Sequence, residues 1–299
     1  MFKYAGKLII LFVLFSLLSC AHREVQPPAP PPAPPPPNPA RIAVVLGAGA
    51  AKGFAHIGVL KVLETHKIPI HMIVGTSAGS LVGSFYASGL TAFQLQTLAL
   101  SVERGDIVDY ILPDNGFIQG VKLAEYVNKV LGNTPMEKLT IPFYAVAADI
   151  QNGQEVVFGR GNTGAAVRAS CSVPGIFRPV RIGERVYVDG GIVSPVPVDA
   201  AKRFGADVVI AVDISSDLGS PKPENTVETI LQAVSIMYSQ LANLQCSRAD
   251  VLLRPRVGHI SSSDFSKRHE AILEGEKSAI EALPKIYEVL DRLKKEGRM

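Results

Sequence analysis

Short runs of β-branched residues alternate with longer stretches of helical periodicity along most of the chain, the pattern of a mostly parallel sheet covered on both faces by helices. Ile42–Leu46 is apolar at every position and reads as a strand buried on both sides. A helix over Gly53–His66, a strand over Ile70–Val74 and a helix over Ala78–Ser88 complete a β-α-β-α start. Further strands are expected at 143–149, 155–158, 186–188, 208–212 and 251–253. Further helices are expected at 122–130, 164–170, 197–204, 227–245 and 266–295, the last broken near Pro284. Between Leu90 and Gly120 the pattern is weaker, and Gly116-Phe117-Ile118 reads as a loop over a cleft. No internal repeat interrupts this order, so residues 41–299 are expected to form one domain, a three-layer α/β/α sandwich.

The first forty residues follow a different logic. Lys3 and Lys7 precede an apolar stretch, Leu8–Leu18, broken only by Ser16, which predicts a secretory signal over residues 1–19. Leu17-Leu18-Ser19-Cys20 resembles the bacterial lipobox, in which Cys20 is acylated and becomes the first mature residue; an ordinary signal peptide ending on an incidental cysteine is the alternative. Ala21 after it resembles the signal that sorts lipoproteins to the outer membrane, facing the periplasm. From Pro27 to Pro39 ten of thirteen residues are proline, which forbids helix and ladder pairing. At about 3.1 Å per residue this polyproline II rod spans roughly 40 Å. Residues 20–40 are therefore expected to be a lipid-anchored tether.

Composition narrows the chemistry. A chain of 299 residues, 47% hydrophobic and 19% charged, can bury a sizeable core. The formal charge is +3, of which Lys3 and Lys7 carry two units, and the dense basic cluster is confined to Lys294, Lys295 and Arg298 at the C-terminus. Nucleic acid is not an expected partner. Cysteines stand at 20, 171 and 246, too few for a disulfide framework and without ligand spacing, so neither a metal nor another cofactor is expected. Cys171 and Cys246 read as buried apolar residues.

Gly75-Thr76-Ser77-Ala78-Gly79 fits G-x-S-x-G and lies between a strand-like and a helix-like run. A nucleophile elbow needs that context: a sharp turn with a strained serine, and Gly75 and Gly79 where neighbouring backbone must pass. Taken alone, a small-residue turn with Ser77 as a helix cap explains the pentapeptide equally well. A second such turn, Gly47-Ala48-Gly49-Ala50-Ala51-Lys52-Gly53, leaves amides uncovered and able to hold an anion. Lys52 precedes Gly53 and Phe54 follows, so a Walker A loop is excluded, and Lys52 occupies the place of the third glycine of a dinucleotide fingerprint. An oxyanion hole at Ala48, Gly49 and Ala50 is the remaining use. Lys52 either adds positive potential to the loop or lies on a solvated helix face.

The base is less obvious. Histidines stand at 22, 56, 66, 71, 259 and 269, and His259 is the candidate for a Ser…Asp…His order. Asp189, closing an apolar run and followed by Gly190 and Gly191, is the other candidate, with a plain Asp-Gly turn as its alternative. Together the Gly-rich turn ending in Lys52-Gly53, GTSAG with Ser77 and DGG with Asp189 resemble the patatin-like phospholipases, specifically their bacterial members. Arg168-Ala169-Ser170 and Val173-Pro174-Gly175-Ile176-Phe177 resemble the family's intervening segment. The resemblance runs from about Arg41 to Val212.

It implies a patatin-like α/β/α fold, a Ser77–Asp189 dyad without histidine, and hydrolysis of acyl esters in lipids without metal or cofactor. The family's loop carries consecutive glycines, whereas Ala48 and Ala50 interleave here. Alanine disfavours positive φ, so the hole is expected to need negative φ at 48 and 50. A lipid-anchored binding protein that keeps the fold without turnover is the competing class, and a nucleotide-binding module a more distant one.

Overall fold

The computed structural model describes residues 37–112, 115–215 and 222–299. The signal segment, Cys20 and all but the end of the proline-rich tether lie outside the described residues. Eight strands form one sheet: β1 (Ile42–Leu46), β2 (Met72–Thr76), β3 (Phe143–Asp149), β4 (Glu155–Phe158), β5 (Val180–Ile182), β6 (Arg185–Asp189), β7 (Val208–Val212) and β8 (Val251–Leu253). Their order is β5-β6-β3-β2-β1-β7-β8, with β4 also on β3. The pairs β3–β2, β2–β1, β1–β7 and β7–β8 are parallel, while β4, β5 and β6 join antiparallel.

Alternation along β1 separates two cores. Ile42, Val44 and Leu46 point into a large cluster with α1 (Phe54–Thr65), α2 (Ala78–Ala87), α3 (Ala92–Ser101), α5 (Val121–Val130) and α9 (Arg268–Lys295). Ala43 and Val45 point into a smaller one with α7 (Val198–Arg203) and the C-terminal end of α8 (Thr226–Cys246). Successive strand residues face opposite sides, so a fully apolar strand implies helices on both. The remaining helices are α4 (Arg104–Ile107) and α6 (Thr163–Ser170).

Several elements differ from the pattern reading. β2 begins at Met72, paired with Ala43, rather than at Ile70; Pro69 just upstream has no N–H to give a ladder. The strand therefore runs directly into Ser77. β5 is only three residues long and closes a two-residue hairpin with β6 at Gly183, whose φ is 62°; so short a run has no readable period. Residues 92–101 and 104–107 form helices where the pattern was weak. α9 continues through Pro284 without a break. Its buried stripe from Ala271 to Leu293 stabilises it enough to offset the hydrogen bond that proline removes. The end of the tether is tied down: Ala40 N–H donates to Arg298 O at 2.9 Å, and Arg298 Nε donates to Asn38 O at 3.1 Å.

Candidate active site

Ser77 joins β2 to α2 with φ 54° and ψ −124°. A non-glycine residue at positive φ is strained, and the turn is what forces it. The glycines on either side are required by contact. A Cβ on Gly79 would stand 2.0 Å from Leu46 O, and one on Gly75 2.5 Å from Gly79 C and O. Gly53 admits the other turn: a Cβ there would meet Ala78 Cβ at 2.5 Å.

Register brings Asp189 to the same place. β2 pairs with β3 as far as Thr76↔Val146, and β6 pairs with β3 from Asp189↔Ala147. β4 pairs with Ala145–Ala148 and overlaps both, so it occupies the opposite edge of β3. Hence β2 and β6 share one edge and meet end to end. Their C-terminal ends face each other, one leading into Ser77 and the other closing on Asp189. The last residue of α6 and the segment that follows it hold both ends. Ser170 Oγ accepts the Ser77 N–H at 2.9 Å while donating to Val146 O at 2.6 Å, and Ser172 O accepts the Asp189 N–H at 2.8 Å.

Asp189 is fully buried, and burial pushes its carboxyl up to about 6. The Ser77 hydroxyl, the Gly191 N–H and the Tyr238 hydroxyl pull the other way. Of these the Gly191 N–H makes the short bond, 2.7 Å to Oδ1. Oδ2 has no hydrogen-bond partner among the described residues, and neither has the Tyr238 hydroxyl. Cys171 lies beside Ser77 and Ser80, and burial raises its thiol far above the usual range, which keeps it neutral.

The Gly-rich turn differs in detail from expectation. Ala48 N–H donates to Pro195 O at 2.8 Å and is spent, so it offers no donor to an oxyanion. Ala51 N–H donates to Ser262 O at 3.1 Å. Among the described residues the N–H groups of Gly49 and Ala50 make no hydrogen bond, nor do those of Ala78 and Gly79 at the start of α2. Ala50 takes φ 50° rather than the negative value expected, accepting the left-handed conformation that glycine would adopt without cost. A Cβ at position 49 would stand 2.6 Å from Ile214 Cδ1, so a side chain there would require Ile214 to shift. Lys52 is 2% exposed and so does not lie on a solvated face.

His56, His66, His71 and His259 have other partners. His56 is buried, and its Nε2 donates to Gly47 O at 2.8 Å. Desolvation lowers its pKa to about 4, so it is neutral. His259 Nε2 pairs with Glu270 Oε1 at 2.6 Å on the surface. His66 Nδ1 is bonded to the Tyr287 hydroxyl, and His71 Nδ1 accepts the Ile42 N–H.

Ser77 opens on a cavity of about 250 Å³ lined mainly by apolar side chains, among them Phe54, Leu81, Phe85, Leu98 and Phe177. Phe117 and Ile118 of the expected loop also line it, and both donate their N–H to Ile176 O. Tyr238 carried no sequence signal: it is one apolar-face position among many on a 21-residue helix.

A strained serine between strand and helix, uncovered amides beside it and an apolar cavity define an α/β protein with an elbow of the serine-hydrolase kind. The chain belongs to the patatin-like phospholipase family, whose sequence model matches residues 44–202. An uncharacterised NTE-family protein of Mycobacterium bovis is 34% identical over 201 residues, 65% of this chain and 56% of that protein. A second from the same organism is 28% identical over 269 residues, 81% of this chain and 46% of that one. The chain thus spans about half the length of these relatives. Lysophospholipase NTE1 of Debaryomyces hansenii is 31% identical over 181 residues, 58% of this chain and 12% of that protein. In fold, the crystal structure of VipD from Legionella pneumophila matches 83% of this chain and 67% of that chain, with TM-score 0.57 and 12% identity.

Proposed function

We propose that the protein hydrolyses acyl esters of lipids with Ser77 as nucleophile and Asp189 as its base. The observation that supports this reading is the meeting of β2 and β6 end to end on β3, with the elbow serine following one strand end and a buried carboxylate closing the other. In the first step Ser77 Oγ attacks the ester carbonyl and its proton passes to Asp189. The N–H groups of Gly49, Ala50 and Ala78 stabilise the oxyanion. The tetrahedral adduct then expels the alcohol, which takes the proton from Asp189. Water, deprotonated by Asp189, attacks the acyl-enzyme carbonyl, and Ser77 Oγ leaves with the proton returned from Asp189 as the fatty acid is released. An apolar cavity beside Ser77 suits an acyl chain, and the name of the yeast relative, a lysophospholipase, favours a glycerophospholipid or its lyso form.

The test is chemical. A fluorophosphonate probe is expected to label the wild type and not Ser77→Ala, and mass spectrometry of phospholipid micelles is expected to detect free fatty acid with the wild type alone. Labelling that persists in Ser77→Ala, or unchanged lipids, would overturn the assignment.

We further propose that Cys20 anchors the protein to the outer membrane, with the proline rod as spacer. Two or more acyl chains give stable attachment, each buried methylene contributing about 0.8 kcal/mol. Cys20→Ser is expected to move the protein from the membrane to the soluble periplasmic fraction; retention in the membrane would rule the anchor out.

A further inference from the structure

Two buried polar atoms beside the elbow are left over once every hydrogen bond among the described residues is assigned: Asp189 Oδ2 and the Tyr238 hydroxyl. Tyr238 is 4% exposed and Asp189 fully buried, so solvent does not satisfy either. An unpaired buried hydroxyl is costly, and so is an unpaired carboxylate oxygen. Gly191 connects them. Its N–H is bonded to Asp189 Oδ1 at 2.7 Å, and a Cβ on it would stand 2.2 Å from Tyr238 Cζ and 2.7 Å from the Tyr238 oxygen. The second glycine after Asp189 therefore leaves the space in which the Tyr238 ring of α8 lies.

Resting on the hydrolase reading above, we propose that Tyr238 is a positioning residue whose hydroxyl donates to Asp189 Oδ2 and holds the base in its ionised form. The titratable groups around it fit that role. Burial and the neighbouring Asp189 raise the Tyr238 hydroxyl well above 10, so it is a donor at every working pH. The Cys171 thiol, the other titratable group acting on Tyr238, is held neutral by burial. On Asp189 itself the opposing influences are donors without charge: Ser77, the Gly191 N–H and Tyr238. Each of these donors therefore matters for how much of the base is ready at neutral pH. When Asp189 receives the proton of Ser77, the Tyr238 bond weakens. It thus stabilises the resting carboxylate more than the protonated one.

This separates Tyr238 from a residue that merely packs. In the wild type kcat/KM for a soluble p-nitrophenyl ester is expected to rise with pH around a midpoint near 6. In Tyr238→Phe the midpoint is expected to move up by about one pH unit, the size of one lost hydrogen bond to a charged group. Activity is then roughly five-fold lower at pH 6 and within about two-fold of wild type at pH 9, with KM little changed. Thermal melts and fluorophosphonate labelling at pH 9 check that the variant is folded and its serine intact. A midpoint that stays put, or an equal loss at every pH, would overturn the role of Tyr238 while leaving the hydrolase intact. A wild type inactive at every pH and unlabelled at Ser77 would instead overturn the reading on which the role rests.

Discussion

Replacing Asp189 by Asn is expected to stop ester turnover while making the protein more stable at neutral pH. The loss of the base removes general-base catalysis at Ser77, a fall of about 10³-fold or more. The gain follows from linkage. The carboxyl titrates near its ordinary value of 3.8 when unfolded and at about 6 when folded, because burial dominates. Between those values the folded protein holds a proton that the unfolded chain has released, so stability falls as pH rises through this window. Above pH 6 the full cost is present, on the order of 3 kcal/mol from about two pH units. Asparagine is neutral and nearly isosteric, its Oδ1 still accepts the Gly191 N–H, and its amide gives the Tyr238 oxygen a donor. The variant is therefore expected to melt several degrees above the wild type at pH 8 and alike at pH 3.5 to 4. Equal melting temperatures at pH 8 would mean that the carboxylate is not buried ionised, and retained turnover would remove Asp189 from the mechanism.

Which features could be read from sequence depends on how local their cause is. The elbow is legible because its demands fall within five residues: two glycines, a serine and the change from strand to helix. Asp189 is legible for a similar reason, since a carboxylate followed by two small residues announces a close approach. What it approaches is set by register on β3, and no pattern within β6 reveals that. The fate of Ala48 is not local at all: its N–H is taken by Pro195 O, a residue far along the chain that reaches the loop only through the return from β6 to α7. The positive φ of Ala50 is hidden likewise, because alanine rarely takes it and the constraint comes from the neighbours of the turn. Tyr238 is the extreme case. Its hydroxyl matters only because Gly191 leaves room for it, and the two lie on separate elements. The Arg168–Ser170 segment is legible by resemblance, and its physical meaning emerges in space: Ser170 fixes the nucleophile's backbone, and Ser172, two residues further on, the aspartate's.

Two glycines on one turn of α2 should respond to the same substitution in different ways. Alanine in place of glycine inside a helix ordinarily stabilises by about 1 kcal/mol. At Gly83 the added methyl would meet Ile73 Cγ2 at 2.9 Å and Phe143 Cε2 at 3.3 Å, both side-chain atoms. Those side chains can shift by a few tenths of an ångström, so Gly83→Ala is expected to change stability by no more than about 1 kcal/mol, with activity kept. At Gly79 the methyl would meet Leu46 O at 2.0 Å, Leu46 C at 2.4 Å and Gly47 O at 2.9 Å. Those atoms are the backbone of the central strand and the root of the Gly-rich turn, and Gly47 is held by its own bond to Val212 O at 3.0 Å. Relief requires α2 to lift off β1. That costs roughly 3 kcal/mol as overpacking against backbone, which lowers the melting temperature by about 6 °C for a domain of this size. The same movement separates Ser77 from the donors of Gly49 and Ala50. Loss of one such donor typically costs 10² to 10³ in kcat, so Gly79→Ala is expected to be at least about 100-fold slower even in the fraction that remains folded. Measuring kcat and the melt on both variants tests the arrangement directly: if Gly79→Ala and Gly83→Ala behaved alike, the close passage of α2 over Leu46 would not be what holds the nucleophile beside its oxyanion donors.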